Sequence, residues 1–263
     1  MRLLKLLTLL LAIAGTAALV LASQATARPL TLIASISPSM NFAYVRVEGV
    51  VVDYPSLAPA QDYLSFRVRD ASGEIRVSAY RSTVRALLDA GRLPMPGDRA
   101  TLEGTLRVRD DEPSLTLNVA DALTLQADDT QTVDLAALDA LPLGGRATVA
   151  GQARRVRAAG ESLRIITLRQ GDTETDVLIP LSLRAVFGMP PEISVGDWLT
   201  VTGGIGEYRG RRQVLPSTAD AFMITPGDFK VTAQRLDIRP IGAFNRDLIG
   251  HWVATEGRLT NIY

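Results

Sequence analysis

The chain has 263 residues, with 28 basic and 28 acidic side chains, a formal charge of zero and a pI near 6.6. That balance gives no overall positive field to hold a polyanion, so any affinity for nucleic acid would need a local patch. The absence of cysteine excludes disulfides, thiolate metal sites and a thiol nucleophile. A content of 47% hydrophobic and 21% charged residues is that of a folded protein.

The first element is apolar. A short basic head (Arg2, Lys5) precedes Leu6 to Ala22, which carries no charge. Such a run is at the short limit for a membrane-spanning helix of roughly 17–25 residues and slightly long for a signal-peptide core. Ala25 to Ala27 supply the small residues of a cleavage site. Residues 1–27 therefore read as an apolar helix that is either a retained anchor or a signal peptide cleaved after Ala27. Either reading places the rest of the chain outside the cytoplasm, membrane-attached or secreted.

From residue 44 onward the chain repeats itself. The first copy predicts five strands: Tyr44 to Tyr54, Tyr63 to Asp70, Glu74 to Tyr80, Arg99 to about Arg109, and Ser114 to Asn118, with a continuation over Ala122 to Leu125 left open. Leu64, Phe66 and Val68 alternate inward against Ser65, Arg67 and Arg69. Asp70-Ala71-Ser72-Gly73 predicts a turn. Val84, Leu87 and Leu88 at helical spacing, stopped by Gly91, predict a short helix between strands three and four. The second copy has the same order: Arg146 to Val156, Ser162 to Arg169, Glu174 to Ile179, a helix over Leu181 to Phe187, then Trp198 to Tyr208 and Arg211 to Leu215. Gly49 and Gly104 interrupt the first and fourth strands, and Gly151 and Gly203 do so in the second copy. A glycine in mid-strand permits the sharp bend of a small barrel corner.

Strand, hairpin, helix, hairpin is the order of a five-stranded Greek-key barrel. The segments "VRVEGVV", "LSFRVRDASGEIRVSAY" and "PGDRATLEGTL", with "ATVAGQA" and "VGDWLTVTGGIGEYRGRRQV" in the second copy, resemble the OB-fold nucleic-acid-binding family of the tRNA-anticodon and helicase type. The likeness covers about residues 42 to 225. It lapses where "RQGDTETD" replaces the Asp-x-x-Gly turn. The expected architecture is mainly β: tandem OB-fold barrels, each with a short helix between strands 3 and 4, behind an N-terminal apolar helix. The expected units are 28–127, 128–226 and, at 227–263, the start of a truncated third, since His251 to Tyr263 looks like another first strand.

The resemblance implies binding of single-stranded nucleic acid, which needs stacking platforms and cations across strands two and three. Tyr63 and Tyr80 are candidate platforms in the first copy, with Arg67, Arg69 and Arg76 as phosphate contacts. An ordinary solvated strand explains them equally, and Phe66 reads as core. The second copy has no aromatic residue on these strands, and Leu163, Ile165 and Ile166 look like core. It offers Arg154, Arg155 and Arg157, with Arg164 and Arg169 nearby, and a hairpin cluster of Tyr208, Arg209, Arg211 and Arg212. No catalytic constellation is present: His251 has no partner, and the glycine-rich "GGIGEYRG" lacks the helix that a phosphate loop requires. The chain is therefore expected to be non-catalytic, without cofactor or metal. Its expected partner is single-stranded nucleic acid, with the membrane through residues 6–22 if these are uncleaved. The competing expectation, favoured by export, is an extracytoplasmic module for an envelope protein or glycan.

Overall fold

In the computed structural model, the described residues are 28–227 except 59, 61 and 111, together with the pairs 15–16, 234–235 and 253–254. The expected apolar helix and the start of a third unit lie outside them, apart from helical residues 15–16 and a short parallel pairing of Gln234–Arg235 with Val253–Ala254. Among the described residues no helix is long and apolar enough to cross a membrane.

The alternation that the sequence shows becomes a closed ring of strands. The first sheet holds β1 (Tyr44–Val51), β2 (Ser56–Ala58), β3 (Tyr63–Arg69), β4 (Glu74–Tyr80), β5 (Asp98–Arg109), β6 (Glu112–Leu117) and β7 (Leu123–Ala127), with helix α1 (Ser82–Asp89) between β4 and β5. Its strand order is β1-β3-β4-β6-β5, closed by β5 on β1, with β4 and β6 parallel. This is a five-stranded barrel of OB order. The second sheet holds β8 (Thr130–Thr132), β9 (Arg146–Ala159), β10 (Leu163–Gln170), β11 (Thr173–Pro180), β12 (Trp198–Tyr208), β13 (Arg211–Leu215) and β14 (Phe222–Thr225), with helix α2 (Arg184–Phe187) after β11. Its pairings run in the same ring, β9-β10-β11-β13-β12 and back to β9, again with one parallel pair, β11 with β13.

A strand that closes a ring must change neighbours part-way along. In β1, Tyr44 to Val50 pair with β5, and Val50 and Val51 pair with β3. Gly49 sits at that change, and a Cβ there would collide with the Arg69 carbonyl. Gly104 sits where β5 passes from β1 to β6, against the Thr116 carbonyl. Gly151 and Gly203 occupy the same places in the second ring, where a Cβ would come 3.0 Å from Arg169 O and 2.7 Å from Leu215 C.

The duplication extends to details that no sequence pattern announces. Each ring is preceded by a 3₁₀ turn, Ile33–Ser35 or Leu135–Ala140, whose first residue is buried. Asp70 receives the Ile33 backbone N–H at 2.9 Å, and Gln170 receives that of Leu135 at 2.8 Å. The lapse in the turn motif is thus a change of acceptor that keeps the contact. Asp70 also takes the N–H groups of Ser72 and Gly73 and the Ser72 hydroxyl. Burial alone would raise its carboxyl, but these bonds hold it below its ordinary value. Both Gly-Asp pairs are turns in which the aspartate receives the N–H three residues back, Met95 to Asp98 and Ser194 to Asp197. Both rings end in an Ala-Asp-Ala 3₁₀ turn that starts an extra strand on the fourth, β7 or β14.

The rings pack on each other. Between β1 and β2 the chain swings out, and the Tyr54 hydroxyl lies 2.8 Å from Leu178 O and 2.7 Å from Pro216 O of the second ring. Pro96 and Gly97 press on Gly204 so closely that a Cβ on Gly204 would meet Pro96 C at 2.5 Å. Beside them Arg146 and Asp98 pair at 3.7 Å with little exposure.

Adding one methyl by Gly104→Ala should overpack the corner and cost about 1–3 kcal/mol, read as a lower urea midpoint at unchanged slope. Burial raises the Tyr54 phenol well above its ordinary value. Its contribution to stability is complete below the unfolded value near 10 and is lost as pH rises toward the folded one. Urea titrations should show stability falling above about pH 10, with Tyr54→Phe removing part of that fall.

Candidate nucleic-acid interface

The register of β3 on β4 fixes what the first barrel shows to solvent. Residues directly opposite share a face, so the outward positions form rows: Tyr63 with Tyr80, Ser65 with Ser78, Arg67 with Arg76, and Arg69 with Glu74. The parallel strand β6 extends two rows, placing Ser114 beside Arg76 and Thr116 beside Ser78. Strand β5 extends them again, with Arg107 opposite Ser114 and Thr105 opposite Thr116. The outer face thus carries an aromatic row, a hydroxyl row (Ser65, Ser78, Thr116, Thr105) and a cationic row (Arg67, Arg76, Arg107). Phe66 points inward and is 2% exposed, as its alternation predicts.

The aromatic row is a tilted pair in ring contact. The Tyr63 and Tyr80 rings lie 5.3 Å apart at 47°, and Tyr80 is half exposed. Hydrogen bonds to Ser65 and Ser78, with the Arg76 charge nearby, hold the Tyr63 phenol below its ordinary value. At the far end of the cationic row, Arg107 stacks on exposed Phe42 at 4.5 Å. Neither Phe42 nor Arg107 stands out in the sequence. Their lines of approach are set by the β5–β6 register and by a bond from Phe42 N to Leu106 O.

Two of the arginines are engaged. Arg67 pairs with Asp53 at 2.5 Å and with Glu74 at 2.7 Å, and Arg69 pairs with Glu74 at 3.1 Å. All four side chains are part exposed, so each pair is worth about 0–1 kcal/mol, little enough for a phosphate to displace. Desolvation raises the Asp53 carboxyl despite its hydrogen bond and attraction to Arg67. Among the described residues, no carboxylate pairs with Arg76 or Arg107.

The second ring presents a different face. The pairing of Arg69 with Glu74 and of Arg169 with Glu174 sets the two hairpins in correspondence. Where the first ring has Tyr63 and Tyr80, the second has Leu163 and Pro180. Where it has Ser65 and Ser78, the second has Ile165 and Leu178, and where it has Arg67 and Arg76, the second has Thr167 and Asp176. By pairing, Leu163 and Ile165 lie on the outer side of the sheet and Ile166 lines the interior; Ile165 is nonetheless buried, at 7% exposure, and Leu163 is part exposed. A groove of about 490 Å³ runs over them, with Arg157, Tyr208, Arg209, Arg211 and Arg212 around it.

The structure gathers only some of the second copy's candidate residues. Tyr208, Arg209, Arg211 and Arg212 overhang the groove from the β12–β13 hairpin. Arg155, opposite Thr167, is on the same face beyond the groove. Arg154 is the extra residue of a bulge in β9. Arg164, opposite core Ile179, turns away and donates to Pro191 O at 3.3 Å. Arg157 lines the groove instead. Among the described residues no group of His, Asp or Glu is placed to hold a metal.

No protein-family model matches the chain, and no curated protein matches it. Among solved structures, a replication protein A heterotrimer bound to single-stranded DNA is similar at 15% identity and a TM-score of 0.36, covering 76% of this chain and 52% of the other. A murine DNA-binding protein with double-stranded DNA shares 8% identity at a TM-score of 0.29, over 68% and 97% of the two chains. Asparaginyl-tRNA synthetase from Pyrococcus horikoshii shares 14% at 0.30, over 39% and 24%. The chain spans about half the length of the first of these and a quarter of the last. What defines the barrel is the ring's strand order, with its one parallel pair β4–β6 and its antiparallel closure of β5 on β1.

Proposed function

We propose that the chain is a non-catalytic tandem OB-fold protein, with units 28–127 and 128–226, that binds single-stranded nucleic acid with weak sequence selectivity. The observation that carries this reading is the tilted Tyr63–Tyr80 pair beside the row of Arg67, Arg76 and Arg107 on one outward face. Aromatic faces accept any base, at about 1–3 kcal/mol per stacked base, while arginines track the phosphates. Of the hydroxyl row between them, part-exposed Ser65, Thr105 and Thr116 supply donors and acceptors for sugar or base edges, while Ser78 is buried. Asp53 and Glu74 compete for Arg67 and Arg69 and limit affinity.

The apolar run Leu6–Ala22 favours a second reading, in which the segment anchors or exports the chain and the barrels act outside the cytoplasm on an envelope protein or glycan. The two readings part on salt. Binding of a fluorescent single-stranded oligonucleotide to the full chain should weaken steeply as salt rises, by about 0.7 log units per log unit of salt for each phosphate neutralised. No salt-sensitive binding at micromolar protein would discard the nucleic-acid reading.

Tyr63→Ala and Tyr80→Ala should each weaken that binding by about 1–3 kcal/mol and leave the salt slope unchanged. Arg76→Ala with Arg107→Ala should instead flatten the slope, by about 0.7 for every phosphate no longer neutralised. Asp53→Asn with Glu74→Gln should release Arg67 and Arg69 and tighten binding. Lowering pH through the raised titration of Asp53 should shift wild-type affinity in the same direction, an effect absent in the double variant.

A further inference from the structure

We infer that the groove on the second ring is a separate site for a small anionic amphiphile, one with an aliphatic body and a carboxylate or phosphate head. The two rings carry different chemistry at matching outward positions. At the positions where the first ring places tyrosines and serines, the second places Leu163, Pro180, Ile165 and Leu178. The two outward residues that would meet phosphates in the first ring, Arg67 and Arg76, become Thr167 and Asp176, which hydrogen-bond each other at 2.7 Å. A nucleobase entering here finds no aromatic face on the floor, and its phosphate finds a carboxylate.

The floor is aliphatic and the rim is cationic. Ile165 and Leu178 are directly paired across β10 and β11, with Leu163 one row further on the same face. About 490 Å³ lies above them, inside the range of about 300–1,000 Å³ that small-molecule sites occupy. Of the rim arginines, Arg212 is tied to Glu207, and Arg157 lies 3.7 Å from Asp176. Arg209 and Arg211 are exposed on the hairpin and have no carboxylate partner among the described residues; Arg209 rests on the Tyr208 ring at 5.2 Å. Two uncompensated guanidinium groups above an apolar floor match an anionic head above an alkyl chain. Arginine forks suit carboxylate and phosphate alike.

The inference is independent of the nucleic-acid reading, because it uses no residue of the first ring. It is tested by calorimetric titration of the full chain with dodecanoate, dodecyl phosphate and neutral dodecanol, all below micelle-forming concentrations. The expected result is saturable one-to-one binding of at least one anion, at least tenfold tighter than the alcohol. The preferred anion distinguishes a carboxylate from a phosphate head. Ile165→Ser with Leu178→Ser, which installs the first ring's pair, should weaken it at least tenfold. Arg209→Ala with Arg211→Ala, on an exposed hairpin, should do so without touching the floor. Absence of saturable binding, equal affinity for the alcohol, or undiminished affinity in both double variants would overturn the inference. So would displacement of the amphiphile by a short oligonucleotide that still binds the Tyr63→Ala, Tyr80→Ala chain, since the groove would then hold nucleic acid.

Discussion

The structure depends on a strand having two neighbours in succession. A five-stranded ring closes only if its first and fourth strands bend enough to pair on one side and then on the other. At the bend the backbone of a third strand comes so near that a side chain has no room. Gly49 and Gly104 meet that condition through the carbonyls of Arg69 and Thr116. Once the bend is made, the register of every other strand follows, and so does the side of the sheet on which each residue emerges. The rows of tyrosine, hydroxyl and arginine exist only because β3, β4, β6 and β5 keep that register across four strands.

The two rings share the scaffold and differ in what they display. The corner glycines, the buried 3₁₀ lead-in, the Gly-Asp turn and the Ala-Asp-Ala turn recur with the same hydrogen bonds. These contacts hold the barrel and face inward or along its ends. Outward positions carry no such duty, since exchanging Ser65 and Ser78 for Ile165 and Leu178 leaves the pairing intact. The inner face is fixed by packing, and the outer face is open to a change of ligand.

That division explains what is legible in the sequence. Glu74–Tyr80, Trp198–Tyr208 and Arg211–Leu215 are readable to the residue, because alternation and bounding turns coincide there. The inward direction of Phe66 follows from period two. Short pieces without a pattern are not readable: β2 and β8 have three residues each, and β14 has four. At the site, Tyr63, Tyr80 and Arg67 are visible because they alternate with core residues. Arg107 and Phe42 are not, since what brings them to the same face is the non-local pairing of β5 with β6 and one backbone bond. Arg154 stands apart from Arg155 and Arg157, which share the outer face, because it is the unpaired residue of the β9 bulge. Part-exposed Leu163 looks like core because aliphatic side chains carry no sign of the face on which they lie, and buried Ile165 gives no sign that it is covered from the outer side of the sheet.

What joins the rings determines whether their faces act separately. Tyr54 lies within reach of two carbonyls but has one proton to donate, so it contributes about one hydrogen bond, roughly 0.5–1.5 kcal/mol. That is too little to hold two rings together. The close approach of Pro96 to Gly204, the packing of Gly144 against Val50 and Val52 and the Ser217 hydroxyl on Pro96 O add to it, whereas burial raises the Asp98 carboxyl, so its pairing with Arg146 at 3.7 Å does not offset the desolvation. With the rings so held, a cavity of about 290 Å³ lies between them, walled by Asp53, Arg67, Arg69 and Glu74 on one side and by Leu178, Tyr208 and Gln213 on the other. The last three also line the groove of the second ring. A ligand that moves Tyr208 or Leu178 therefore acts on the wall opposite the ion pairs that restrain Arg67 and Arg69. The two faces of unlike chemistry therefore adjoin through Leu178, Tyr208 and Gln213 and are not walled off from each other by the barrels.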